Sequence, residues 1–320
     1  MILTNPPFGG KEGRDAQQHY AFETSATQVL FLQHILDELA PPSDGQAGGR
    51  CGVVLDEGFL FRTNESAFVE TKRKLLDECD LWCVVSLPGG VFSTAGAGVK
   101  TNLLFFTRGQ RTERIWYYDL SHVKVGKKTP AGLALFGWGP AFEVLDDAAL
   151  PATLVGDWAA RAGNAGRPFP SFARLLAQRG SAVADSDLSW TVDFAARRAA
   201  ARVAMAPHLA EAGRLQALGV TLKEQLAALR KARADDSAAL PVQDALAACD
   251  RALRQAQARA SAIDAATFDL KAVNAHARVE RDDRTPAQVL AAIQGHGAAV
   301  DAALARLQAL LAADDALLPL

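Results

Sequence analysis

The chain has 320 residues, of which 49% are hydrophobic and 22% charged, a composition typical of a globular protein long enough for two domains. The formal net charge of -2 excludes a global basic field, so any contact with nucleic acid depends on local patches. No secretory signal and no apolar run of bilayer length occur, which predicts a cytoplasmic protein with no membrane partner. The four cysteines have neither disulfide-framework nor zinc-site spacing, so we expect reduced, mostly buried thiols and no metal.

The first part of the chain alternates between strand-like and helix-like segments. Strands are predicted at 2–4, 51–55, 81–87, 101–107 and 114–120, and helices at 24–39 and 64–79. The short turn around Gly109 indicates that the last two strands pair as a hairpin. Strands and helices in this order are typical of an α/β domain with an antiparallel edge, although the first half of a doubly wound sheet is missing.

The composition changes after this α/β part. Residues 126–194 contain many Gly, Pro and Trp residues and are predicted to form an irregular connection. Residues 195–320 are rich in Ala, Leu, Arg and Gln with leucines at helical spacing, which predicts an all-α tail of three or more helices. Helical hairpins and a coiled coil are both compatible with this pattern, and disorder in parts is a further alternative. The predicted domains are therefore 1–125, 126–194 and 195–320.

The four residues Asn5, Pro6, Pro7 and Phe8 follow the first predicted strand. Ligands of open α/β sheets bind where strands end, so this turn is a candidate site. The prolines remove two N–H donors, so the backbone presents carbonyl acceptors, and the Asn5 side chain adds another acceptor. Two acceptors beside an aromatic ring suit a planar amine such as N6 of adenine. The alternative is a rigid strand-to-loop turn without catalysis.

Four segments in a fixed order extend this interpretation: NPPFGGKE, VVLDEGFLFR, LPGGVFSTAGAGVKTNLLFFTRG and WYYDLSHVKVGKKTP. Together they resemble the modification (M) subunit of type I restriction–modification systems, a family of N6-adenine DNA methyltransferases. The resemblance covers about residues 2–130, with a weaker similarity in LSWTVDF at 188–194. It implies the second half of a Rossmann-like methyltransferase sheet followed by the helical tail. It also implies the cofactor S-adenosylmethionine and three partners, namely DNA, a specificity subunit that the C-terminal helices contact, and a restriction subunit.

The same resemblance implies roles for individual residues. Asn5 and the Pro6 carbonyl would accept hydrogen bonds from the target N6, Pro7 would shape the turn, and Phe8 would stack on the flipped adenine. Three lysines are candidate contacts to DNA phosphates, with an ordinary solvated surface as an equal alternative. They are Lys100, Lys127 and Lys128. Asp56 departs from the family pattern, because many relatives have a proline after this strand.

The family binds S-adenosylmethionine mainly through a Gly-rich motif on a strand before the Asn-Pro-Pro-Phe turn. No such motif precedes Asn5, so the cofactor-binding residues are unknown and we expect a fragment that lacks the cofactor-binding half. A separate chain that supplies this half would then be a partner, and whether the chain is active alone stays open. Two other functions remain. One is a non-enzymatic remnant or assembly module that docks on a specificity subunit, and the other is methylation of glutamine side chains or RNA.

Overall fold

The computed structural model describes residues 1–92, 98–121, 172, 175–232, 236–277 and 284–315. The chain forms two compact units, Met1–Ala277 and Arg278–Leu320, and each is considered by itself. The first unit contains a mixed sheet with helices around it and a long helical pair after it. The described residues of the second unit contain one long helix. The predicted fold class, an α/β sheet followed by an all-helical region, is therefore confirmed.

Six strands form the sheet in the spatial order β1-β2-β4-β3-β5-β6. β1 is parallel to β2, and β3 is parallel to β5, whereas β4 and β6 run antiparallel to each of their neighbours. Most of the strands therefore end at one edge of the sheet, which we call the carboxyl edge. The strands are β1 (Ile2–Thr4), β2 (Arg50–Asp56), β3 (Cys79–Ser86), β4 (Thr101–Arg108), β5 (Arg114–Asp119) and β6 (Ser189–Asp193).

Seven helices lie in the described part of the chain. The second of them begins at Thr27 rather than at residue 24, and the fourth begins at Ser66 rather than at residue 64, so the predicted bounds are accurate to within three residues. The helices are α1 (Arg14–Gln17), α2 (Thr27–Glu38), α3 (Glu57–Phe61), α4 (Ser66–Glu78), α5 (Phe194–Lys231), α6 (Asp236–Thr267) and α7 (Pro286–Asp315).

The core has one cluster on each face of the sheet, because successive side chains of a strand point to opposite faces. One cluster packs α2 and α4 against strand residues such as Val53 and Leu104, and the other contains Trp116 and Tyr118. All four cysteines are free and buried, as predicted.

The segment after α6 fixes the helical pair to the sheet. Leu270 is fully buried, and its N–H donates a hydrogen bond to the Leu60 carbonyl at 3.0 Å. The Tyr117 hydroxyl donates to the Leu270 carbonyl at 2.9 Å. These two bonds join α3, β5 and the end of α6, so the helical pair is part of the same unit as the sheet.

The predicted hairpin between the last two α/β strands is wrong. β4 lies between β2 and β3, and β5 pairs with the other side of β3. The connection between β4 and β5 crosses the start of β3, where the Thr112 hydroxyl donates to the Cys79 carbonyl at 2.7 Å and accepts from the Leu81 N–H at 2.8 Å. These two hydrogen bonds of Thr112 hold the short connection against the start of β3, so the chain does not turn back to pair with β4.

A sixth strand lies inside the range that we expected to be an irregular connection. β6 forms five pairs with β5, from Arg114 opposite Asp193 to Tyr118 opposite Ser189. Trp190 on β6 stacks on Tyr117 with ring centroids 5.3 Å apart and planes 11° apart. Most of the range 126–194 lies outside the described residues.

Candidate functional site

The Asn-Pro-Pro-Phe turn lies at the carboxyl edge of the sheet. β1 pairs with β2 in parallel, from Ile2 opposite Cys51 to Thr4 opposite Val53, and the turn follows immediately after Thr4. The carboxyl edge is where open α/β sheets bind ligands. The structure thus brings all four predicted residues to the place where such a site is expected.

The two acceptor residues of the turn differ in their exposure to solvent. Asn5 and Pro7 are exposed, Phe8 is half-buried and Pro6 is buried. Among the described residues, neither the Asn5 side chain nor the Pro6 carbonyl has a hydrogen-bond partner. Both oxygens therefore have unused acceptor capacity, and the exposed Asn5 amide oxygen is open to an incoming amine.

Phe8 packs against Phe92, a contact that the sequence analysis missed. The two ring centroids are 5.0 Å apart and the ring planes are inclined at 57°. Phe92 follows β3 in the loop that begins at Leu87, so two loops of the carboxyl edge meet at this aromatic pair. The available signal was an aromatic residue two positions after a glycine pair, in a loop that follows a strand.

The chain after the turn is anchored on the start of α2. Lys11 forms a β-bridge with Ala26, and the Glu12 N–H donates to the Ser25 carbonyl at 2.8 Å. The Thr27 hydroxyl donates to the Glu12 carboxylate at 2.8 Å. Between turn and anchor, Gly10 has a φ of 102°, a conformation that favours glycine. The turn is therefore held at both ends, by β2 on one side and by α2 on the other.

Asp56 has a structural role at the same edge. It is the N-cap of α3, and its carboxylate accepts a hydrogen bond from the Phe59 N–H at 3.2 Å. Such a cap satisfies one of the donors that a helix leaves unpaired at its start. The departure from the family's proline at this position therefore supplies the first turn of the next helix.

The predicted DNA-contacting lysines are only partly described. Lys100 is exposed at the carboxyl edge just before β4, and its carbonyl accepts from the Glu57 N–H at 2.8 Å. Lys127 and Lys128 lie outside the described residues. Of the three lysines, the structure therefore locates one, and it lies on the same edge as the turn.

A small polar cavity also opens at this edge, with a volume of about 150 Å³. Its lining includes Lys100, Lys271 and Glu57, and the Lys271 ammonium lies 3.2 Å from the Glu57 carboxylate. The Thr101 hydroxyl and the Trp190 indole N–H are buried there without a hydrogen-bond partner among the described residues. The carboxyl edge therefore also carries charged and unpaired polar groups beside β4 and β6.

The described surroundings of the turn do not fit S-adenosylmethionine. Cavities of about 110 to 580 Å³ in the described part of the chain are lined by residues other than the four residues of the turn. A nucleoside cofactor beside the turn would need an enclosed cradle that these residues do not form. We therefore derive no step through the cofactor.

The described residues form neither a metal-binding cluster nor a membrane-spanning helix. Within the described ranges, no three His, Cys, Asp or Glu side chains are grouped so that they would hold a metal ion. None of the helices in this part of the chain combines the length and apolar character that a bilayer crossing requires.

Comparison with known proteins identifies the class of the α/β part. Residues 1–131 match the N-6 DNA Methylase family. The methylase subunit of the type I restriction enzyme EcoEI from Escherichia coli is 43% identical over 121 residues, covering 37% of this chain and 23% of that subunit. The EcoKI methylase subunit from Escherichia coli K12 is 36% identical over 141 residues, covering 41% of this chain and 25% of that subunit.

The resemblance to modification subunits of type I systems is thus confirmed for this part of the chain. The aligned region spans about a quarter of the length of these curated relatives. Among solved structures, a chain from a study of complex assembly and conformational transition of the type I R-M system is 26% identical. It covers 97% of this chain and 45% of the solved chain, with a TM-score of 0.46.

Proposed function

We propose that this chain carries the target-base site of an N6-adenine DNA methyltransferase of the type I restriction–modification class. The observation that carries the proposal is the Asn-Pro-Pro-Phe turn at the carboxyl edge, with two free acceptors beside an aromatic ring. The match of residues 1–131 to the N-6 DNA Methylase family supports adenine N6 as the nucleophile. S-adenosylmethionine is the methyl donor that this class uses.

Each residue of the turn has a separate task in this proposal. The Asn5 amide oxygen and the Pro6 carbonyl accept the two N6 hydrogens, which raises the electron density on nitrogen and stabilises the positive charge that develops there during methylation. Phe8 stacks on the adenine, which must leave the duplex to reach the turn. Because Phe92 already packs on Phe8, the base occupies the free face of Phe8 or separates the two rings.

The test is transfer of tritiated methyl from S-adenosylmethionine to duplex DNA by the full chain assembled with its specificity subunit and with a separate chain that supplies the cofactor-binding half. Asn5→Ala and Phe8→Ala should each lower the rate by roughly 100-fold, the effect of removing one group that acts on developing charge or holds the reacting base. Phe31→Ala is the matched control, because Phe31 is an exposed phenylalanine on α2 and is not one of the four residues of the turn. Its rate should equal that of the wild type.

Two results would contradict the proposal. The first is an unchanged rate for Asn5→Ala, and the second is equal labelling of duplexes whose adenines already carry an N6 methyl group. Label recovered in protein or RNA, with none in DNA, would instead support the alternative that the turn methylates glutamine side chains or RNA.

A second proposed function is docking on the specificity subunit through the helical region. The observation that favours it is α7, where six large apolar side chains are exposed along one helix. Five of them, Leu290, Ile293, Val300, Leu304 and Leu307, occupy the a and d positions of a heptad pattern, the seam that packs against a partner helix. The exposed set is Leu290, Ile293, Val300, Leu304, Leu307 and Leu310.

Co-elution with the specificity subunit in size-exclusion chromatography tests this docking function. The double variant Ile293→Asp/Leu304→Asp should abolish co-elution, because a charge at a buried seam position is strongly unfavourable. The control variant Gln294→Asp/Ala305→Asp adds the same charge outside the seam and should co-elute normally. Equal behaviour of the two variants would refute docking through this seam.

A further inference from the structure

A cluster of arginines lies at the edge of the sheet opposite the turn. Asp77 is near the end of α4, just before β3 begins, and Arg111 precedes β5. α5 begins directly after β6, whose last residue pairs with the first residue of β5. These three elements meet around a cavity of about 110 Å³, whose charged lining residues are Arg73, Asp77, Arg111, Arg198, Arg202 and Asp264.

Arg198 is the central residue of this cavity, and it is only 7% exposed. Its guanidinium lies over the Phe194 ring at 4.7 Å from the centroid. One terminal nitrogen lies 2.8 Å from the Asp77 carboxylate, yet none of the three guanidinium nitrogens has a well-aligned hydrogen-bond partner among the described residues. A buried guanidinium carries five donors that require acceptors, so this group is short of acceptors on the cavity side.

The carboxylates nearby do not supply the missing acceptors. Asp77 is shared, because Arg111 also contacts it at 3.1 Å. Asp264 pairs with Arg73 at 2.5 Å, and Arg73 contacts Glu70 as well at 3.1 Å. The pair between Arg73 and Asp264 is therefore largely satisfied within itself.

One more arginine remains at the rim. Arg202, one turn after Arg198 on α5, is exposed and has no hydrogen-bond or ion-pair partner among the described residues. The cavity and its immediate neighbours thus hold four guanidiniums and three carboxylates, and the two arginines of α5 have donors to spare.

We propose that this cavity binds an oxyanion of the phosphate class. A cavity of about 110 Å³ has room for one tetrahedral oxyanion. Guanidinium groups bind phosphate oxygens in pairs of parallel hydrogen bonds, so Arg198 and Arg202 would each gain the acceptors that the protein does not provide. The bound group is either free phosphate or a phosphate of the DNA backbone, and both present the same oxygens.

The site is independent of methyl transfer. The Asn-Pro-Pro-Phe turn is at the carboxyl edge and the arginine cavity is at the opposite edge, so one ligand does not serve both. The cavity is built from α4 of the α/β part and from α5 and α6 of the helical pair. A bound anion would therefore stabilise the attachment of the helical pair to the sheet.

Thermal unfolding of the full chain in sodium phosphate, compared with sodium chloride at equal ionic strength, tests the proposal. Phosphate at about 100 times its dissociation constant should raise the Tm by roughly 3–5 °C. Arg202→Gln should weaken phosphate binding about tenfold or more, because it removes charge-assisted hydrogen bonds from an exposed residue without a structural partner. Arg254→Gln, at an exposed arginine of α6 outside the cavity, is the matched control and should bind like the wild type.

Asp77→Asn provides a second, opposite test. Removing the carboxylate that competes for two guanidiniums should strengthen phosphate binding, whereas a plain ion-pair network would show only lower stability. The proposal is overturned if phosphate and chloride give the same Tm, or if Arg202→Gln and the wild type respond equally to phosphate. Competition with a short DNA duplex separates the two sources of the oxyanion. If the duplex displaces bound phosphate, the natural ligand is a phosphate of the DNA backbone. If phosphate stays bound in the presence of the duplex, the natural ligand is the free ion.

Discussion

Lys72 offers a quantitative test of how the α/β part is packed. It is fully buried on α4, and its ammonium donates to the carbonyls of Leu60 at 3.0 Å and Arg62 at 2.7 Å. Burial lowers the pKa of Lys72 from its ordinary 10.5 to about 8, and the negative charge of Asp269 opposes this effect only in part. The ammonium thus links α4 to the chain after α3, and the loss of its hydration destabilises its charged form.

This pKa makes the contribution of Lys72 to stability depend on pH. Between about pH 8 and pH 10.5 the unfolded chain holds a proton that the folded protein has released, so the free energy of unfolding rises with pH. The contribution is fully present above pH 10.5 and is lost as the pH falls through 8. Between pH 7 and pH 10 the contribution of Lys72 to the free energy of unfolding should rise by about 2.5 kcal/mol.

The perturbation is Lys72→Met, which keeps an unbranched chain and removes the titrating group. Urea denaturation of wild type and variant at pH 7, 8, 9 and 10 gives the difference in their free energies of unfolding. From pH 7 to pH 10 this difference should shift in favour of the wild type by about 2.5 kcal/mol. The buried thiols of Cys51 and Cys79, whose pKa values burial raises to about 12, destabilise both proteins above pH 9, so this effect cancels in the difference.

Lys223→Met, at an exposed lysine of α5, is the control, and its difference from the wild type should stay constant across this range. A constant difference for Lys72→Met as well would refute the reasoning, because it would show that burial of the ammonium does not change its protonation.

Three further substitutions test local features. Thr112→Val should lower the free energy of unfolding by about 2 kcal/mol, because it leaves two buried backbone groups of β3 without their hydrogen-bond partner. A urea midpoint equal to that of the wild type would contradict this role of the Thr112 hydroxyl. Gly10→Ala should cost about 1–3 kcal/mol and lower methyl transfer, since φ is 102° and the new Cβ would lie 2.8 Å from the Thr27 hydroxyl. Gly13→Ala, in open space, is its control and should have little effect. Asp56→Ala should cost about 1 kcal/mol in urea through loss of the α3 cap, and an unchanged midpoint would argue against it.

The elements of the α/β part were predictable because their sequence signals are local. Continuous apolar runs marked β2, β3 and β4, and the apolar stripe of α2 marked that helix to within three residues. The position of the Asn-Pro-Pro-Phe turn at a strand end followed from the same reasoning, because a turn directly after a strand lies at a sheet edge. What a local pattern does not contain is which strands become neighbours.

The pairing error shows this limit. The short connection after β4 favoured a hairpin, yet both sides of β4 are occupied by β2 and β3. The decisive interaction is the Thr112 hydroxyl, which binds two backbone groups more than 30 residues earlier in the chain. A single buried threonine in a loop gives no sequence signal of this kind.

The same limit applies to the arginine cavity. Its pair between Arg73 and Asp264 joins residues 191 positions apart. In the sequence, the arginines of α5 are indistinguishable from those that face solvent on any helix. Only the packing of α5 and α6 against α4 shows that Arg198 is buried with unpaired donors.

The two edges of the sheet therefore differ in their chemistry. The carboxyl edge presents acceptors at Asn5 and Pro6, which suit an amine, and the opposite edge presents surplus donors at Arg198 and Arg202, which suit an anion. A net charge of -2 is compatible with both, because each site depends on a few groups whose partners are missing rather than on the total charge. A substitution at one edge should leave the other unaffected. Loss of methyl transfer in Asn5→Ala with unchanged phosphate binding, and the reverse for Arg202→Gln, would establish that the two sites are separate.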